Sequence, residues 1–315
     1  MTPQIFIDGD VGTTGLQIKS RLEGRLDIEL LCLDNAIRKN PEARAEMLNR
    51  ADISVLCLPD DASIEAVSMI SNPDVRLIDA STAHRIADGW VYGFPEYSKS
   101  QSSIISKAKR VSNPGCYALT SISILHPLVQ SGFLPVDWPI SINAISGYSG
   151  GGKGMISQFE EKGDSKYTEA PFFAYGLSLE HKHLPEITHW SGIRHSPLFV
   201  PSVGRYAQGM IVQVPLPLWS MQGGFKAIDI HDALAYHYSG QKFVSIAPLS
   251  ESKNLSKLEP QSLNGSNQLR LYVFADESEE QVVVAGLLDN LGKGAAGQAV
   301  QNLNLMLGID ESTGL

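Results

Sequence analysis

Apolar residues fall in short runs along the first eighty positions, and the runs alternate with stretches spaced like one face of a helix. Residues 4–8 are an apolar run that ends at a glycine cluster, which predicts a buried strand. Leu16, Ile18 and Leu22 recur at helical spacing, so residues 13–22 are expected to be a helix. Residues 27–33 predict a second strand and residues 41–48 a second helix with Pro41 in its first turn. Residues 53–58 predict a third strand stopped by Pro59, and 61–70 a third helix capped by Asp61. Residues 75–78 predict a fourth strand. Strands that alternate with helices imply a parallel sheet covered on both faces.

The pattern changes after Ser112-Asn113-Pro114-Gly115-Cys116, a turn followed by an apolar helix over 117–130. Strands are expected at 140–145, 198–201, 210–214, 243–246, 269–274 and 282–288, with fewer helices between them. That spacing predicts a mixed or antiparallel sheet in a second domain. The Ala/Leu/Gln-rich tail over 293–307 reads as a helix that packs back on the first domain. The expected division is therefore 1–115 plus 290–315, and 116–289. No repeats or low-complexity segments occur.

Composition narrows the classes of partner. Of the 315 residues 43% are hydrophobic and 19% charged, so cores form and disorder is disfavoured. The formal net charge of −9, without a Lys/Arg run, argues against nucleic acid and anionic membranes. Small molecules and further copies of the chain are the expected partners. No apolar stretch approaches the ~20 residues of a membrane span, and the first residues lack a basic signal-peptide region. The three cysteines have no metal-type spacing and read as thiols of a reducing cytoplasm; no metal site is expected.

The loop Gly9-Asp10-Val11-Gly12-Thr13-Thr14-Gly15 follows the first strand and opens the first helix. That is the context of a dinucleotide site, with glycines for close backbone approach and a helix N-terminus for the pyrophosphate. Gly9, Val11, Gly12, Thr13, Thr14 and Gly15 are the expected contacts. Asp34 stands where an acid holds a ribose 2′-hydroxyl, which would favour NAD. Arg38 and Lys39 follow closely and could instead hold a 2′-phosphate, so the residues leave the choice open.

Cys116 starts a helix, where the dipole and unpaired N–H groups stabilise a thiolate nucleophile. Cys32 and Cys57 lie inside apolar runs and are expected to be small core residues. In His181-Lys182-His183-Leu184-Pro185-Glu186, either histidine could take the thiol proton and protonate a developing aldehyde oxygen, and Glu186 could orient one of them. His84, His126, His189, His195, His231 and His237 read as structural or surface groups. Residues 147–154, GYSGGGKG, nearly fit a nucleotide-triphosphate loop, but Gly154 stands where a Mg²⁺-binding hydroxyl is needed. The loop fits an anion site better, with Ser149, Gly150 and Lys153 around a phosphate or carboxylate.

Five motifs, in order along nearly the whole chain, resemble the shorter type of N-acetyl-γ-glutamyl-phosphate reductase. They are residues 9–15, the Ser112-Asn113-Pro114-Gly115-Cys116-Tyr117 turn, residues 146–153, the His181–Glu186 segment and the Asp289-Asn290-Leu291-Gly292-Lys293-Gly294-Ala295-Ala296-Gly297-Gln298-Ala299 tail. The resemblance implies an α/β chain, with a Rossmann-type doubly wound parallel sheet and an α+β catalytic domain like that of glyceraldehyde-phosphate dehydrogenase. It implies NADP(H) as cofactor, an acyl phosphate as substrate, a Cys116 thioester, a cytoplasmic role in arginine biosynthesis and a homodimer or homotetramer. It places Asn290 near the nicotinamide and makes Ser81, Arg85, Asn113, Ser149 and Lys153 substrate-binding candidates. The sequence around Arg85 departs from the longer type of the family, which puts a phosphate role for Arg85 in doubt. Aspartyl and aminoadipyl phosphate are rival substrates, and an NADP-binding regulatory protein is a rival of another class.

Overall fold

A computed structural model describes residues 2–315. The described residues divide into two compact units, residues 2–95, 99–115 and 295–315 in one and 96–98 and 116–294 in the other. Among the described residues no helix is long and apolar enough to cross a membrane.

Unit 1 alternates strand and helix: β1 (Gln4–Asp8), α1 (Thr13–Leu22), β2 (Glu29–Leu31), α2 (Pro41–Arg50), β3 (Ile53–Leu56), α3 (Asp60–Ser68), β4 (Arg76–Asp79), β5 (Val91–Tyr92), α4 (Gln101–Lys107) and β6 (Arg110–Ser112). The strands form one parallel sheet in the order β2-β1-β3-β4-β6-β5. The third helix begins on Asp60 with Pro59 at its cap position and no side-chain cap bond. Asp61 therefore does not cap it, and the Asp60 carboxylate instead receives the Thr82 amide at 2.8 Å.

Unit 2 opens on α5 (Cys116–Gln130) and continues through β7 (Ser141–Gly147), α6 (Gly152–Glu160), β8 (Phe172–Ala174), α7 (Leu184–Ser191), β9 (Leu198–Gly204), β10 (Met210–Pro217), α8 (Ala227–His237), β11 (Val244–Ile246), α9 (Leu249–Asn254), β12 (Leu269–Ala275) and β13 (Gln281–Leu288). Its sheet runs β11-β12-β13-β10-β7-β9-β8 and is mixed: β7/β9 and β11/β12 are parallel and the other pairs antiparallel. Twelve of the fifteen residues of α5 are buried, so this helix is enclosed nearly all round. It lies close on the sheet because Gly286 of β13 has no side chain there; a Cβ would meet the Thr120 methyl at 2.4 Å.

A π-helical turn over Gly292–Ala296 leads into the last helix, α10 (Gly297–Leu307), which belongs to unit 1. There Ala299, Val300, Leu303 and Met306 join Ile5, Ile18, Val55 and Ile78 in one core, while Phe6, Leu48, Leu56 and Leu77 form the core on the opposite face.

Candidate active site

In unit 1 the loop after β1 has the backbone that the glycines permit. Gly9 has φ +94°, and a Cβ there would lie 2.4 Å from the Cys57 carbonyl oxygen. A Cβ on Gly15 would lie 2.2 Å from the Gly9 oxygen, so α1 packs against its own entry loop. Gly9, Val11 and Gly12 line a cavity of about 340 Å³ with Asp8, Asp10, Lys19, Arg38, Lys39 and Arg44. Thr13, Thr14 and Gly15 open α1 just beyond it.

The charges of this cavity decide what it fits. Lys19 pairs with Asp10 at 3.0 Å, and Arg44 with Asp8 at 2.9 Å. Burial pushes the Asp8 carboxyl up, against the hydrogen bond and charge of Arg44. Arg38 and Lys39 have no carboxylate partner among the described residues, so the cavity keeps two uncompensated cations. Asp34 accepts the Ala36 amide at 2.9 Å, closing its own turn, and is not in the cavity wall. Cys32 also corrects an expectation. The strand β2 stops at Leu31, and Cys32 is exposed beyond it in the cavity wall rather than in a core. Cys57, half-buried in the same wall, has its thiol pushed well up by burial.

The carboxyl ends of β4 and β6 carry three more of the expected residues. Ser81 donates its hydroxyl to Asp79 at 2.7 Å and its amide to the same carboxylate at 2.9 Å. The Arg85 guanidinium donates to the Asn113 carbonyl at 3.1 Å and the Ala80 carbonyl at 3.3 Å. Asn113 donates to the Ala295 carbonyl at 3.0 Å. Ser81, Arg85 and Asn113 thus come together within unit 1, and all three are buried. His84, which reads from sequence as structural or surface, joins them: its Nδ1 lies 2.6 Å from Asp79, and its ring stacks on Trp90.

In unit 2 Cys116 is the first residue of α5 and half-buried. Its Cβ would be 2.8 Å from a Cβ on Gly294, so the π-helical turn lies directly against it. The next residue, Tyr117, organises what surrounds the thiol. Its hydroxyl donates to Ser146 at 2.7 Å, and its ring meets His181, His183 and Phe199 edge-on. Tyr175 lies 3.4 Å from His181 Nε2. Burial holds Tyr117 well above the usual phenol range and pushes Tyr175 up to about 12, charge on Cys116 adding to both. Both phenols are therefore protonated donors at neutral pH.

The two histidines differ. His181 is half-buried, and its Nδ1 accepts the His183 amide at 3.2 Å; His183 and Glu186 are buried. Leu184 and Pro185 start α7 directly after this pair. Ser149 and Gly150 form a short turn between β7 and α6, and Asn290 clamps it: its amide donates to Ser149 at 3.1 Å and accepts the Gly209 amide at 2.8 Å. Lys153 is exposed in the first turn of α6. Tyr117, Ser146 and Tyr175 were absent from the sequence-based candidates. Tyr117 could have been found from its place beside Cys116, but nothing local marks Tyr175. Among the described residues no group of three or more His, Cys, Asp and Glu side chains could hold a metal ion.

Comparison with known proteins assigns residues 12–104 to the model described as semialdehyde dehydrogenase, NAD binding domain, and residues 116–290 to semialdehyde dehydrogenase, dimerisation domain. A curated N-acetyl-gamma-glutamyl-phosphate reductase of Chelativorans sp. is 53% identical, with 98% of this chain and 99% of that one aligned. N-acetyl-gamma-glutamyl-phosphate reductase 2 of Pseudomonas putida is 50% identical over 99% of both chains. Among solved structures, aspartate semialdehyde dehydrogenase II of Vibrio cholerae complexed with ASA matches with a TM-score of 0.70 at 14% identity, covering 98% of this chain and 99% of that one. The Candida albicans aspartate semialdehyde dehydrogenase with NADP matches with a TM-score of 0.65 at 10% identity, covering 98% and 99%. At these identities the structures share the fold.

Proposed function

The chain belongs to the semialdehyde dehydrogenase family, among its N-acetyl-gamma-glutamyl-phosphate reductases, and on that premise we propose that it reduces N-acetylglutamyl 5-phosphate to the 5-semialdehyde at Cys116. The observation that carries the reading is the half-buried thiol on the first residue of α5, set among two protonated phenols and the His181–His183 pair.

Cys116 Sγ, as thiolate, attacks the acyl carbon, and the bond from that carbon to the phosphate oxygen breaks. His181 receives the thiol proton and passes it to the departing phosphate. His181 suits this better than His183 because it is the more accessible ring and touches Tyr175. The turn at Ser149 and Gly150, with Lys153 on α6, offers amides and a cation to the phosphate. NADPH, when bound, supplies the hydride that reduces the thioester carbon. The thiohemiacetal on Cys116 then collapses, the C–S bond breaks, and the thiolate is restored. Gly9, Val11, Gly12, Thr13, Thr14 and Gly15 fit the dinucleotide, since the first three line the cavity and the others open α1 beside it. Arg38 and Lys39 favour the 2′-phosphate of NADP over NAD.

The dimerisation-domain match supports assembly of identical chains, as a homodimer or homotetramer. We read the protein as a cytoplasmic enzyme of arginine biosynthesis. The test runs the reaction backwards, following NADP⁺ reduction with N-acetylglutamate semialdehyde. Strict dependence on phosphate is expected. Equal turnover without phosphate, or preference for aspartate semialdehyde, would overturn the reading.

A further inference from the structure

We infer that Gln298 is a binding residue for the carboxamide of the nicotinamide ring. The inference rests on the dinucleotide reading above. Gln298 is the second residue of α10 and has no solvent exposure. It ends a ladder of side-chain amides whose polarity is set by two backbone carbonyls. The Ala295 carbonyl can only accept, so Asn113 presents its Nδ2 there at 3.0 Å and its Oδ1 the other way. Asn302 Nδ2 donates to that Oδ1 at 3.1 Å and to the Gly93 carbonyl at 2.9 Å, which turns its own Oδ1 outward. Gln298 must therefore offer Nε2 to Asn302, at 3.5 Å, leaving Oε1 at the end of the ladder. That oxygen is buried and has no hydrogen-bond partner among the described residues.

A buried carbonyl without a donor is costly, and its usual explanation is a missing ligand or water. Its place in the fold favours a ligand. The ladder starts at Asn113, directly after the carboxyl end of β6. The Gly9 loop follows the carboxyl end of β1, three strand spacings away in the same parallel sheet, or about 14 Å. Dinucleotides lie across the carboxyl ends of such strands. A molecule anchored at the Arg38 cavity and running along this edge brings its far ring towards β6. The polar donor on that ring is the carboxamide NH2.

The experiment measures dissociation constants by calorimetry for NADP⁺, its thionicotinamide analogue, which keeps the NH2, and its 3-acetylpyridine analogue, which lacks it. Wild type should bind the acetylpyridine analogue about tenfold more weakly than the other two, as one lost hydrogen bond to a buried acceptor predicts. Gln298→Met should bind all three alike while keeping its preference for NADP⁺ over NAD⁺. Gln298→Glu, which retains an acceptor, should keep the discrimination, and it covers the case in which the Met variant fails to fold. Equal binding of all three by wild type overturns the inference and leaves the oxygen to water, as does discrimination that persists in Gln298→Met. Failure of wild type to bind NADP⁺ at all overturns the dinucleotide reading with it.

Discussion

At Gly294 a side chain would place its Cβ 2.8 Å from that of Cys116 and 3.1 Å from a Leu288 methyl. Neither neighbour is a flexible chain end, since one is the nucleophile's own Cβ and the other lies on a buried strand. Gly294→Ala should therefore displace the thiol: we expect kcat/KM to fall at least tenfold, with a stability loss of about 1–3 kcal/mol measured by denaturant melts. Wild-type kinetics in this variant would mean that the turn yields freely. Cys116→Ser should abolish turnover while leaving NADP⁺ binding by calorimetry unchanged, because the cofactor loop belongs to unit 1. Next to Gly294, Lys293 is fully buried and paired with Glu96 at 2.7 Å. Lys293→Met would remove the cation from the buried Glu96 carboxylate, costing about 3–5 kcal/mol in unfolding free energy, and Lys293→Met with Glu96→Leu should recover most of it. Lys293 opens a tail that reads from its pattern as a helix, and nothing in that pattern marks its buried ion pair or the close approach of Gly294 to Cys116. Their places follow from the π-helical backbone, which no spacing rule announces. Cys116 and the Gly9 loop were legible because each sits at a strand–turn–helix junction whose chemistry is local.

Among elements, α5 shows how a broken rule is repaired. Pro127 lies inside this helix and has no N–H for the Ser123 carbonyl, four residues earlier. The Tyr238 hydroxyl, at the end of α8, donates to that carbonyl at 2.8 Å instead. Tyr238→Phe should cost about 1–3 kcal/mol in wild type, and clearly less in a Pro127→Ala background, where the chain regains its own donor. Equal costs in both backgrounds would show that the hydroxyl acts elsewhere. Elements with strong periodicity were legible in this way: β1, α1, α5 and the long strands of unit 2 lie within a few residues of their expected bounds. The helices α8 and α9 were also not expected, and four other missed elements have physical reasons. The strand β5 is two residues long, β8 is largely exposed, α4 carries little apolar periodicity, and α6 begins on glycines. Such segments owe their form to tertiary neighbours, which a local pattern does not contain.

Across unit 2 as a whole, one buried ring should contribute to the response of stability to acid. His126 of α5 stacks on Tyr97 at 4.0 Å and faces His237 of α8 edge-on, and Tyr97 also holds the Trp190 carbonyl of α7 at 3.0 Å. Burial, with the charge of His237 acting the same way, lowers His126 from 6.5 to about 4, while a backbone hydrogen bond at Trp190 partly opposes the shift. The sign follows from proton binding. Above pH 6.5 the ring is neutral in both states and contributes no pH dependence. Between pH 6.5 and about 4 the unfolded chain takes up a proton that the folded one resists, so stability falls as pH falls. Below about 4 both states are protonated and the loss is complete. The shift sets an upper bound of about 3 kcal/mol, which solvent screening reduces to roughly 1–2 kcal/mol. Urea titrations of wild type and His126→Gln across this window give the check. The substitution should flatten the dependence of unfolding free energy on pH by up to one proton. Parallel curves would assign the acid sensitivity to carboxylates instead, because a lone neutral glutamine removes only the ring's titration.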